Sequence, residues 1–251
     1  ALAGVRDQVV IATKVFSNHL DRKQLITACE RSLRNLNTDY IDLYQIHWPP
    51  GSFGAPMVPL EEPLEALMTL KEQDKIRAIG VSNFDRSLIE TARTHAPIES
   101  LQPPYSLFWR SLEANTLSWC RTEQITTLAY SPMAQGILTG KFGPAHKFAK
   151  KDHRKGHRLF QPEIHGTVQE ALAKLRPIAD DHGVTMAQLA LAWVIAQPNT
   201  CAISGARSAD QATNNAAAMD ITLSADTLAE MDAIGRTVTD KLDDNPVQWQ
   251  W

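Results

Sequence analysis

Apolar residues in this chain fall in short unbroken runs, separated by stretches in which they recur every three or four positions. Runs without polar alternation suit strands of a parallel sheet covered on both faces, and the wider period suits amphipathic helices. The pattern predicts strands at Val9–Thr13, Ile41–Ile46, Arg77–Val81, Ser100–Gln102, Thr126–Ala129 and Thr200–Ile203. It predicts helices near Arg22–Leu36, Leu60–Gln73, Arg86–His95, Leu112–Thr122, Val168–His182, Met186–Ala196, Ser208–Ala218 and Ser224–Ile234. Asp21 with Gln24, and Thr185 with Gln188, have capping-box spacing. Leu25, Cys29, Leu33 and Leu36 share one face of the first helix, and Leu60, Leu64, Leu67 and Leu70 one face of the second. A long loop rich in Lys, Arg, His and Gly runs from Ser131 to about His165, and its charge run Lys147–Arg158 reads as solvated.

Strands that each precede a helix mean either an open doubly wound sheet or a closed barrel. No GxGxxG follows the first strand, which removes the Rossmann signal. Polar residues cluster where strands end: Lys14, His47, Ser82–Asn83, Gln102, Tyr130–Ser131 and Ser204–Arg207. In a (β/α)8 TIM barrel all such ends open on one rim, where the active site lies. The expectation is therefore an α/β barrel, with residues 1–251 as a single domain.

Composition changes this picture little. The chain has 251 residues, a net charge of −3, 43% hydrophobic and 21% charged residues, which is ordinary globular usage without the basic excess of a nucleic-acid binder. No apolar run approaches the ~18 residues of a membrane span. Cys29, Cys120 and Cys201 have no CxxC spacing, which suits a reducing, cytoplasmic setting. His153 and His157 are spaced like metal ligands but lack cysteine or carboxylate partners, so no metal is expected. Nothing in the chain assigns an oligomeric state.

The strand ends carry the candidate chemistry. His47 is either a rim imidazole that orients a substrate oxygen or a structural histidine on a backbone carbonyl. Trp48, before Pro49–Pro50, offers an aromatic wall to substrate. Lys14 is either solvated or a buried ammonium that favours a neighbouring anion. Ser82, Asn83 and Gln102 match the donors and acceptors of a primary carboxamide; for Ser82 and Asn83 the alternative is a turn capping the next helix. Tyr130 can stack on a flat heteroaromatic ring, the alternative for this stretch being a Ser-Pro turn that leads into a surface loop. Ser131, Gln135 and Gly136 can meet phosphates through backbone N–H groups. In the last segment Gly205 allows close backbone approach, Arg207 offers a bidentate phosphate contact, Ser208 caps a helix whose N-terminus attracts phosphate, and Gln211 and Asn215 share one helix face; the alternative is an ordinary capped helix.

IATK, DLYQIHWP, DKIRAIGVSNF, QPPYSLF, AYSPMAQGILTGKF and GARSADQATNN, in this order, resemble the aldo-keto reductase superfamily, in particular its bacterial and potassium-channel-β-like branch. The resemblance implies a (β/α)8 barrel that binds NADP(H) and moves a hydride between nicotinamide and a small aldehyde or ketone. It implies Ser82, Asn83 and Gln102 on the carboxamide, Tyr130 on the nicotinamide ring, and Ser131, Met133, Gln135 and Lys141 at the pyrophosphate. Gly205, Arg207, Gln211 and Asn215 would hold the 2′-phosphate end, with a preference for NADPH over NADH through Arg207. Arg154 would cover the cofactor. Ser204 departs from a proline common in this branch.

Of the family's catalytic Asp, Tyr, Lys and His, Lys14 and His47 match the last two. The Asp and Tyr lie upstream of IATK with two βα units, so the barrel is expected to be N-terminally incomplete over residues 1–251, and a chain truly without them to turn over little. Two other functions stay open at this point: an NADP(H)-binding regulatory or interaction protein, and a cofactor-free barrel lyase or isomerase using Lys14 as a Schiff-base nucleophile. Substrate walls are expected from loops and from the tail with Trp249 and Trp251.

Overall fold

The computed structural model describes Leu2 and residues 4–242; Trp249 and Trp251 lie outside the described residues. Six parallel strands, β1 (Ala12–Val15), β2 (Ile41–Ile46), β3 (Ile76–Ser82), β4 (Ser100–Gln102), β5 (Thr126–Tyr130) and β6 (Thr200–Ile203), follow one another in chain order across the sheet. Sequential order is that of a singly wound βα array, and it excludes the doubly wound alternative, in which the order reverses. The helices are α1 (Arg22–Leu36), α2 (Glu61–Glu72), α3 (Arg86–Ala92), α4 (Leu117–Thr122), α5 (Pro162–Asp181), α6 (Met186–Ile195), α7 (Ala209–Ala216) and α8 (Ala225–Thr239).

The chain divides into two compact units. One comprises residues up to 103 with 119–127, the other 104–118 with 128 onward. In the first, β1 pairs with β2 through Lys14↔Gln45 and Val15↔Ile46, β2 with β3 through Gln45↔Gly80, β3 with β4 through Ser82↔Gln102, and β4 with β5 through Ser100↔Thr126. Val15, Tyr44, Ile46, Ile79 and Val81 pack there against Leu25, Cys29 and Leu33 of α1 and Leu64, Leu67 and Leu70 of α2. The second unit has its own core, in which Leu172 and Leu175 of α5, Leu189 and Trp193 of α6 and Met231 and Val238 of α8 surround Tyr105 and Phe108.

Several boundaries differ from expectation for identifiable reasons. β1 begins at Ala12 rather than Val9 and runs one residue past Lys14. Val10 is exposed, and the sheet is met only at Ile11, whose N–H donates to Asp42 Oδ2 at 2.9 Å. Leu36 is exposed rather than part of the α1 stripe, because Asn37 ends the helix in the left-handed conformation. Asp21 accepts from the Gln24 N–H, but the full reciprocal box forms only at Thr185 and Gln188. α3 stops at Ala92, and a short 3-10 turn at Ser111–Glu113 replaces the expected start of α4.

α5 starts at Pro162, well before Val168, since a proline at the first helical position gives up no intrahelical bond. α8 continues past Ile234, where the expected helix ended, and through Gly235 to Thr239. A Cβ at Gly235 would lie 2.8 Å from the Leu107 carbonyl oxygen, so this glycine admits close packing rather than terminating the helix. His157, assigned to a solvated charge run, is fully buried, and its Nδ1 accepts from the Leu159 N–H.

Candidate active site and cofactor groove

In the first unit the C-terminal ends of β1–β4 carry Lys14, His47, Ser82, Asn83 and Gln102. His47 follows β2, and its N–H donates to the Val15 carbonyl at 2.9 Å, which ties it to the end of β1. Lys14 is half-buried, and burial lowers its pKa. Burial also lowers the His47 pKa, with a further contribution from the Lys14 charge. Both effects favour the neutral form of the His47 imidazole.

A chain of hydrogen bonds binds three strand ends. Asn83 Nδ2 donates to the His47 carbonyl at 3.0 Å and to Ser82 Oγ at 3.1 Å, and Ser82 Oγ donates to the Gln102 carbonyl at 2.7 Å. Asn83 adopts a φ of 61°, a region that asparagine tolerates better than most residues. The turn-capping alternative for Ser82 and Asn83 is overturned: Asp85 caps α3, accepting from the Leu88 N–H at 2.8 Å. Below them lies a buried polar relay. Ser100 Oγ donates to Gln45 Oε1 at 3.3 Å, and Gln45 Nε2 donates to Gln102 Oε1 at 3.4 Å.

Trp48 belongs to an aromatic wall beside His47. The Phe16 ring meets the His47 ring edge-on at 5.5 Å and stacks on Phe53 at 5.8 Å, while Trp48 meets Phe53 edge-on at 4.9 Å. Phe16 and Phe53 are 40% and 58% exposed.

In the second unit one groove, of about 890 Å³, is lined by Ser131, Met133, Gln135, Lys141, Arg154, Gly205, Arg207, Gln211 and Asn215, all expected at the cofactor's phosphates or adenosine. Its walls also include Thr139, Thr185, Ser204 and Asn214, and among the described residues no carboxylate side chain lines it. Three cations line it with hydroxyls and amides, one of them, Arg154, paired with Asp152 from outside the lining, and together they form an anion-binding donor set. A Cβ at Gly205 would meet nothing within 4 Å, so the backbone there stands open to a ligand. Ser208 accepts from the Gln211 N–H and caps α7. Gln211 Oε1 accepts from the Arg207 N–H at 2.7 Å, and Asn215 Nδ2 donates to the Gly205 carbonyl at 3.2 Å. These two amides thus brace the turn that carries the exposed Arg207. Gln135 Nε2 donates to Ser131 Oγ at 2.7 Å. Tyr130, the last residue of β5, does not line this groove; burial pushes its pKa up to about 12.

Four supporting residues escaped the sequence reading: Gln45, Phe16 and Phe53 in the first unit and Asp152 in the second. Gln45 carried a signal, a polar side chain inside an otherwise buried strand. Asp152, bound to Arg154 through both carboxylate oxygens, had none that set it apart from its charged surroundings. Among the described residues no group of three or more metal-ligating side chains occurs, and no helix is long and apolar enough to cross a membrane.

Known proteins are similar to this chain in sequence and in fold. The profile of the aldo/keto reductase family matches residues 1–236. Aldo-keto reductase YhdN of Bacillus subtilis is 38% identical over 218 residues, covering 83% of this chain, which spans only 64% of the length of YhdN. Methylglyoxal reductase YeaE of Escherichia coli is 33% identical over 247 residues, 92% of this chain and 72% of its own length. The glycerol dehydrogenase AKR11B4 from Gluconobacter oxydans superposes with a TM-score of 0.87 at 29% identity, over 96% of this chain and 77% of that one. An aldo/keto reductase from Klebsiella pneumoniae, solved with NADP and acetate, gives a TM-score of 0.73 at 33% identity, over 93% of this chain and 72% of that one. With the profile matched over nearly its whole length and the strand order of the fold in place, this chain belongs to the aldo/keto reductase family.

Proposed function

We propose that the protein is an NADP(H)-dependent oxidoreductase that transfers a hydride between nicotinamide and the carbonyl carbon of an aldehyde or ketone. The observation that carries this reading is the groove of the second unit, whose lining holds Lys141, Arg154 and Arg207 and, among the described residues, no carboxylate. That donor set fits a dinucleotide's phosphates. Lys141 with Ser131, Met133 and Gln135 is assigned to the pyrophosphate, Arg154 to covering it, and Arg207 with Gly205, Gln211 and Asn215 to the 2′-phosphate end. Ser82, Asn83 and Gln102 are assigned to the carboxamide, and Tyr130 to the face of the nicotinamide ring.

When bound, NADPH supplies the hydride. The chain's own residues handle the oxygen. A neutral His47 can donate one ring N–H to the carbonyl oxygen, which gains negative charge as the carbon is reduced. The Lys14 ammonium favours an anion beside it, so it stabilises the ionised form of a neighbouring acid and eases release of that acid's proton to the oxygen. Trp48 and the rings packed near it give the substrate's non-reacting part an apolar wall. Three unpaired cysteines support a reducing, cytoplasmic setting.

The test is a fluorescence titration of the full chain with NADPH, followed by NADPH consumption with a panel of small aldehydes and ketones. Binding together with carbonyl-dependent consumption is expected. Absence of binding removes the reading, binding without consumption favours a regulatory role, and borohydride trapping of a substrate on Lys14 would favour a Schiff-base enzyme.

A further inference from the structure

Arg154 lines the cofactor groove, yet its guanidinium is already committed on most sides. Nε donates to Asp152 Oδ1 at 2.9 Å and Nη2 to Asp152 Oδ2 at 2.5 Å. Asp152 Oδ1 also accepts the Arg154 backbone N–H at 3.0 Å, so one carboxylate holds both ends of this residue. The guanidinium carbon lies 4.9 Å from the ring centres of both Phe142 and Phe148. Nη1, on the remaining edge, has no protein acceptor among the described residues.

We propose that Asp152 is a positioning residue for the cofactor, holding Arg154 so that its uncommitted edge is presented to a phosphate oxygen in the groove. This rests on the NADP(H) reading above. Two opposing effects must be weighed. The carboxylate partly offsets the arginine's charge, which weakens its pull on an anion. It also removes the rotamer freedom that a free arginine would lose on binding, a cost equivalent to about a two- to tenfold change in affinity. The fork contact and the two rings fix orientation, and a bidentate guanidinium depends on orientation more than on bare charge. A dinucleotide with several negative oxygens keeps its Coulombic attraction to Lys141 and Arg207 in either case, so orientation decides.

The experiment is a double-mutant cycle on the full chain, read by NADPH fluorescence titration and thermal melting. Asn caps a helical turn as well as Asp, so Asp152→Asn keeps the local backbone bond while losing the charged fork. Expected are a two- to tenfold weaker Kd for NADPH in Asp152→Asn, a larger loss in Arg154→Ala, and no further loss when Asp152→Asn is added to Arg154→Ala. Recovery of at least half of the lost affinity in Asp152→Glu would agree with the carboxylate acting through its charge. Unchanged NADPH binding in Asp152→Asn overturns the proposal, and tighter binding overturns it by making Asp152 a competitor of the cofactor. An equal loss from Asp152→Asn with and without Arg154 also overturns it, since the effect is then general. If the wild-type chain does not bind NADPH at all, the cofactor reading falls and this role with it, whereas wild-type binding with an indifferent Asp152→Asn removes only the role.

Discussion

Gly80, in β3, sits where the polar relay beneath the strand ends leaves no room for a side chain. A Cβ built there lies 2.1 Å from Ser100 Oγ, 3.0 Å from Gln45 Cγ and 3.1 Å from the Ser100 carbonyl oxygen. The first contact requires Ser100 Oγ to retreat by about an ångström, because nonbonded carbon and oxygen do not approach much below ~3.2 Å. Ser100 can do so only by changing rotamer, which breaks its 3.3 Å bond to Gln45 Oε1. The carbonyl contact cannot be relieved this way, since it belongs to the paired backbone of β4. Overpacking of this kind costs about 1–3 kcal/mol, and a lost buried hydrogen bond about 1 kcal/mol. Gly80→Ala should therefore cost about 2–4 kcal/mol. At roughly 2–4 °C per kcal/mol for a chain of this size, Tm falls by about 5–15 °C.

Gln45 orients the Gln102 amide, so Gly80→Ala should weaken NADP(H) binding through Gln102 even in the fraction that remains folded. The assay is a thermal melt followed by an NADPH titration at a temperature where both proteins are folded. The double variant Gly80→Ala/Ser100→Ala removes the 2.1 Å contact and leaves the milder ones, so it should recover about half of the stability but not the Gln45 bond. A Gly80→Ala protein with unchanged Tm, or a double variant less stable than the single, would refute the account of Gly80 as a close-approach site.

Lys14→Met should raise the His47 pKa toward its ordinary value of 6.5, followed by NMR titration of the imidazole; no change, or a fall, would mean the Lys14 charge does not reach the ring. Because the folded-state pKa of His47 is depressed, the unfolded chain binds more protons there, so the stability carried by neutral His47 is present above about pH 6.5 and lost as pH falls below it. His47→Asn should accordingly flatten the acid limb of the stability profile, and an unaltered limb would count against burial of the ring. Arg207→Ala should weaken NADPH by about 10–30-fold, the lower range for a charge-assisted bidentate contact from an exposed arginine, and NADH by less than about twofold; equal losses in parallel titrations would remove Arg207 from the 2′-phosphate. Phe53→Ala should raise KM for an aromatic aldehyde about three- to tenfold, the worth of one or two aromatic contacts, while a short aliphatic aldehyde changes little; a uniform rise would place Phe53 in folding rather than in selectivity.

The βα rhythm was legible because periodicity is a local property: β2, β4 and β6 and the whole of α1 lie where the apolar runs put them. Boundaries failed where tertiary contact overrides a local signal. Gly235 looks like a helix terminator and is a packing site against Leu107. Pro162 and Gly166 look like breakers and lie within α5. His157 sits among seven lysines, arginines and histidines in the run Lys147–Arg158 and is nevertheless buried, because only three-dimensional packing distinguishes one histidine of a charged loop from the next.

The residues of the candidate site divide by the same logic. A group proposed to face a ligand breaks the rule of its own element, as His47 does just past the apolar β2 and Gln102 at the end of β4, and such a breach is visible in one dimension. A group that works by holding another group obeys its local rule. Asp152 is one more charge in a charge run, and Phe53 is an ordinary loop residue until its φ of 56° and its place against Phe16 and Trp48 are known. Their contribution lies in the orientation they impose on Arg154 and on the rings beside His47, and orientation has no counterpart in residue type or spacing. Supporting residues are also where one-dimensional reading and mutational effect should diverge most, since removing them leaves every recognisable site residue in place while altering where its polar atoms point.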